Sequence, residues 1–132
     1  MANLASAASD IAGSFSETTP TAIVGAIEGS KGYLLVHFTS HDPACVWCMR
    51  SNTQLDKLIL PYRENLQALR VSWEPWTAIA TSKPDIGRLY NLPGLPALLL
   101  FKDGKEQWRQ LWAPEGKQKE ELIRVLDDCC RQ

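Results

Sequence analysis

Residues 33–48 read YLLVHFTSHDPACVWC, and the fold turns on how this stretch divides. The run from Tyr33 to Thr39 is almost unbroken in apolar character, the pattern of a strand covered on both faces. Ser40-His41-Asp42-Pro43-Ala44 is a polar turn. Cys45-Val46-Trp47-Cys48 then opens a helical stripe carried by Met49, Leu55, Leu58 and Ile59, which Pro61 interrupts. A strand therefore runs through a turn into a helix whose first turn holds two cysteines.

Working outward, residues 1–18 are rich in Ala, Ser and Thr and read as a loose, flexible arm whose end can add an edge strand. Residues 19–132 are left as the domain. Thr19-Pro20-Thr21 opens a short helix through Glu28, with Ile23, Val24 and Ile27 inward and Gly29 closing it. Residues 68–73 are a second strand candidate, and Glu74-Pro75-Trp76 opens a longer connection. A short helix over 83–90 turns Ile86, Leu89 and Tyr90 inward. Residues 96–101 form a third strand, and the Asp103-Gly104 pair turns it into a returning strand over 107–112. A last helix spans 115–130, apolar at Leu122, Val125, Leu126 and Cys129. The order predicts an α/β fold, a central mixed sheet of four to five strands flanked by helices on both faces.

The bulk numbers exclude more than they assign. At 132 residues the chain is one domain's worth, and 45% hydrophobic with 22% charged residues is ordinary globular composition. A net charge of -1 gives no electrostatic case for nucleic acid or an anionic membrane surface. No apolar stretch reaches a membrane span. Five of the eleven aromatics are tryptophans, which is unusual in kind. The first ten residues, MANLASAASD, lack Lys, Arg and any sustained apolar run, so they do not read as a secretory signal. The expectation is a cytoplasmic protein, or a periplasmic one if a signal has been removed. In a reducing compartment structural bridges are rare, and a C-x-x-C pair points to redox catalysis or a metal.

The cysteine pair has three open fates: a short-range disulfide, metal chelation, or alternation between dithiol and disulfide. Residues three apart on a helix are neighbours, at a separation that suits a disulfide. Cys45, at the helix start, meets unpaired N–H groups and the positive end of the dipole, which lower a thiol's pKa below about 8.5. Cys48 lies one turn inside, less exposed. This makes Cys45 the expected nucleophile and Cys48 the resolving thiol. Zinc is the chemical rival, with His41 or Cys129-Cys130 as completing ligands, although no second C-x-x-C or H-x-x-x-H exists. Cys129 falls on the apolar face of the last helix and Cys130 is expected to be the more exposed; a functional vicinal pair is the alternative. A third class is a binding or chaperone module on the same scaffold.

The order YLLVHF, turn, CVWC and, far along, YNLPGLPALLLFKDGK at 90–105 resembles the thioredoxins over residues 21–132. The resemblance implies a thioredoxin-like fold in which Pro96 is a cis-proline beside the sulfurs. Leu95 would pair through its backbone with an extended substrate, and Trp47 would offer a flat contact surface. The implied activity is a thiol–disulfide oxidoreductase acting on disulfide-containing protein substrates. It would need no bound cofactor and no metal, would draw electrons from a partner reductase, and would work as a monomer. Departures from the pattern are Ala44 where the family has Trp, Val46-Trp47 where it has Gly-Pro, and Ala97 where it has Thr. His37 occupies the place of the family's buried acid, as a candidate proton acceptor for the resolving thiol or as a hydrogen-bonded core histidine. The turn before Cys45 is about two residues longer, and its His41 and Asp42 read as solvated. The family's lysine on the next strand has no clear counterpart, Trp73 and Glu74 lying nearest.

Overall fold

The computed structural model describes residues 15–131, so most of the N-terminal arm, residues 1–14, lies outside the described residues. Five strands form one mixed sheet in the order β1-β3-β2-β4-β5: β1 (Ser16–Thr18), β2 (Tyr33–Thr39), β3 (Gln67–Ser72), β4 (Ala97–Lys102) and β5 (Lys105–Leu111). β3 runs parallel to both β1 and β2, while β4 is antiparallel to β2 and to β5. The helices are α1 (Pro20–Gly29), α2 (Val46–Leu58), α3 (Ile86–Leu89) and α4 (Lys117–Cys130).

Alternation along the buried strands divides the core into two layers. Leu34, Val36 and Phe38 of β2 face Ile23 and Ile27 of α1 and Ile86 of α3. Leu35 of β2, with Leu98 and Leu100 of β4, faces Leu55 and Ile59 beside Leu122 and Leu126 of α4. Helices thus cover both faces, which is why β2 is apolar at successive positions rather than every second one. Cys48 packs in the first layer although most of α2 serves the second. The start of α2 therefore lies across the end of the sheet, where β2 delivers the chain.

Local chemistry accounts for the boundaries. Thr19 caps α1, its Oγ1 accepting from the Ala22 N–H at 3.1 Å, and Pro20 sits where a missing N–H costs nothing. Asp103 and Gly104 both have positive φ, 50° and 83°, as a tight two-residue hairpin between twisted strands requires. Pro61 falls in a 3-10 turn, Leu60–Tyr62, that ends α2. The connection after β3 holds a second 3-10 segment, Trp76–Thr81, and the expected 83–90 helix shortens to one turn. The last helix begins at Lys117 rather than 115, after a positive φ at Gly116.

Candidate active site

Cys45 is the N-cap of α2, and its Sγ accepts the Cys48 N–H at 3.3 Å. The two sulfurs are bonded to each other, with 5.2 Å between the Cα atoms. Cys45 is half-buried and Cys48 fully buried. Only the first sulfur can meet an incoming disulfide, and it sits where helix N–H groups stabilise a thiolate. The second is sheltered one turn deeper, within reach of the first.

The turn before Cys45 is built around Asp42, which is not the solvated residue expected from the sequence. One carboxylate oxygen accepts the Ala44 N–H at 2.9 Å, the other accepts the Trp76 N–H at 3.2 Å, and its carbonyl accepts the Cys45 N–H at 2.9 Å. A single side chain thus ties the helix start to the connection after β3. His41 is exposed, 3.9 Å from Glu17.

Cys45, Trp47, Trp76, Leu95 and Trp112 line one groove of about 510 Å³ in which no lining side chain is charged. Trp76 and Trp112 are site residues that the sequence reading missed; the excess of tryptophan was the signal that could have found them. The Leu95–Pro96 peptide is cis, as are Glu74–Pro75 and Lys83–Pro84. Pro96 is buried just before β4, and its carbonyl accepts the Trp112 N–H at 2.9 Å.

His37 lies on β2 toward the second layer, fully buried. Its Nδ1 accepts from Arg70 Nε at 3.0 Å, which leaves Nε2 as the protonated nitrogen, donating to Ser51 Oγ at 2.9 Å. Burial first, then the Arg70 charge and then His41, holds its pKa well below the ordinary imidazole value. Both ring nitrogens are thus occupied by groups other than cysteine, and the ring is held neutral. Arg70 stands in register with His37 on β3. Its guanidinium, itself buried, also meets Asp56 Oδ1 at 3.0 Å and lies 4.4 Å over the Phe15 ring. Trp73 instead stacks on Phe38 in the first layer, and Glu74 is exposed.

Cys129 and Cys130 are disulfide-bonded to each other. Their exposure reverses the expectation. Cys130 is buried with Leu122 and Leu126, because the inward face of α4 advances in steps of four, and Cys129 is half-buried beside it. Among the described residues no three His, Cys, Asp or Glu side chains converge as metal ligands, so the zinc alternative lacks its completing donors there. No helix among the described residues is long and apolar enough to cross a membrane.

No protein-family model matches the chain, and no curated protein matches it. Solved structures do. The mitochondrial thioredoxin 3 of Saccharomyces cerevisiae, in its oxidised form, superposes with a TM-score of 0.62 at 20% identity, over 85% of this chain and 95% of that one. A structure solved for the thiol-resolving mechanism of yeast mitochondrial 1-Cys peroxiredoxin via glutathione/thioredoxin systems gives 0.63 at 20% identity, with the same coverage. At that identity the likeness fixes the fold.

Proposed function

From a chain that has the thioredoxin-like fold, we propose a thiol–disulfide oxidoreductase acting on protein disulfides through Cys45 and Cys48. The observation that carries this reading is the pairing of an accessible helix-capping sulfur with a buried one three residues on, at the mouth of an uncharged groove. In the reduced protein the Cys45 thiolate attacks one sulfur of a substrate disulfide and the other leaves as a thiolate. The Cys48 thiolate then attacks the Cys45 sulfur of the mixed disulfide, releasing the second substrate thiol and closing Cys45–Cys48. Two electrons have passed to the substrate, and a partner reductase restores the dithiol. No bound cofactor enters, and the proposed setting is a soluble compartment.

Pro96 and Leu95 would position the substrate backbone beside Cys45, with Trp47 as the adjoining contact. His37 is assigned as a positioning residue for α2 through Ser51 rather than as the proton acceptor, since its ring is held neutral with both nitrogens engaged.

The test is insulin reduction under dithiol. Cys45→Ser should be inactive, and Cys48→Ser should accumulate a mixed disulfide at Cys45, visible as a covalent adduct by mass. Full activity in both variants overturns the proposal.

A further inference from the structure

The substrate of this reaction must enter the groove that Cys45 lines, so the chemistry of that groove decides which disulfides are accepted; this inference rests on the redox reading above. Three indole rings face it, 47% exposed at Trp47, 44% at Trp76 and 46% at Trp112. Half-exposed rings of this size gain little from folding and much from being covered. Arg50 stands 5.1 Å over the Trp47 ring, while Trp76 and Trp112 are anchored through the main chain, the Trp76 backbone N–H donating to Asp42 and the Trp112 backbone N–H to the Pro96 carbonyl.

Trp112 is the informative one. Its φ is 72°, in the left-handed region where a bulky side chain is an outlier and glycine is the default. Nothing in the core repays that choice, because the ring is not buried. It lies instead across Gly94, where an added Cβ would come 3.7 Å from Cη2. A ring kept in an unfavourable backbone conformation, half-exposed and lining the same groove as Cys45, points to a contact that only a bound molecule completes. Beyond Trp47 and Trp112 a second hollow of about 600 Å³ continues to Ala113, Gln118 and Glu115, whose carboxylate lies 3.5 Å from Arg50. The two rings are therefore a wall shared by both hollows, and an apolar side chain beside the client's cysteine can lie against either face.

We propose that Trp112, together with Trp47 and Trp76, makes this site select disulfides flanked by a large apolar residue. Small, multiply charged disulfides find no ionic partner among the groove's lining side chains and are poor substrates. The specificity residue is Trp112.

Two cyclic peptides, each closed by one disulfide and identical except for Leu-Trp or Gly-Gly beside the reacting cysteine, test this, with glutathione disulfide as the charged probe. The expected kcat/KM ratio between the apolar and glycine peptides is about tenfold or more, the low end of what an apolar side chain gains in a pocket. Trp112→Gly, which suits the backbone, should bring the ratio close to one, and Trp112→Phe should keep most of it. A ratio near one in the parent protein, a ratio unchanged in Trp112→Gly, or glutathione disulfide equalling the apolar peptide overturns the inference. If no disulfide is reduced at all, the redox reading falls with it; if all are reduced equally, only the selectivity falls.

Discussion

His37 shows how much one side chain's surroundings decide. From the sequence it stood in the place of a buried acid, and either proton transfer or core packing was open to it. Arg70 and Ser51 settle its tautomer, and burial with the adjacent guanidinium keeps it neutral. An unfolded chain takes up a proton on this imidazole near pH 6.5, which the folded chain refuses until well below that value. Its contribution to stability is thus fully present above about pH 6.5 and is lost as the pH falls through the window beneath. The expected slope is at most about 1.4 kcal/mol per pH unit. His37→Gln removes the titration while keeping an acceptor for Arg70, so urea unfolding from pH 7.5 to 5 should show a flatter dependence in the variant. Parallel curves would mean that His37 is not the group refusing the proton. Arg70 was invisible in the sequence because its role depends on which residue of β2 it faces, and register is not a local property.

At the scale of elements, the strands and helices were mostly legible and the connections were not. β2 announced itself as a continuous apolar run, and Asp103-Gly104 specified the turn between β4 and β5 by conformational preference alone. The 3-10 segment over Trp76–Thr81 carries no apolar periodicity, and the side-chain bond at its start comes from Asp42, 34 residues earlier. The buried face of α4 was misread because Cys129 and Cys130 are adjacent, so an error of one position exchanges them. Asp42 gives the sharpest test here. Asp42→Ala removes the acceptors for the Ala44 and Trp76 N–H groups, which are exposed, so stability should fall by only about 1 kcal/mol. Misplacing both a groove wall and the turn before the nucleophile should cost about tenfold in kcat/KM for disulfide reduction. Asp42→Asn keeps an oxygen for one of the two bonds and should fall between. An Asp42→Ala enzyme with parental kcat/KM would show that the turn merely decorates the site. The Cys129–Cys130 bond differs in kind from a stapling bridge. Joining neighbours closes no loop, so it takes no chain entropy from the unfolded state. Its selective reduction in a Cys45→Ser/Cys48→Ser background should leave the urea midpoint nearly unchanged.

At the scale of the molecule, the two-layer core separates the scaffold from the site. Cys48, Leu95 and Leu99 share the layer beneath α1 and α3, whereas Leu100, one residue along the same strand, packs with Leu122 and Leu126 beneath α4. Leu99 and Leu100 are both buried within a six-residue strand bonded on either side. Truncating either to alanine opens a cavity of similar chemistry and should cost about 2–5 kcal/mol of stability. Their consequences for the thiols should differ. A cavity at 99 opens in the layer that holds the buried sulfur and the residue before Pro96, so relaxation around it moves Cys48 relative to Cys45. A cavity at 100 opens on the other side of a close-packed sheet, which does not transmit a small inward collapse across its hydrogen-bonded plane as readily as within one layer. In the reduced protein, Leu99→Ala should change the alkylation rate of Cys45 by iodoacetamide severalfold. Leu100→Ala should match the parent under conditions where both variants are fully folded by circular dichroism. Equal changes in the two variants would mean that the redox site draws on the whole core rather than on the layer that holds Cys48.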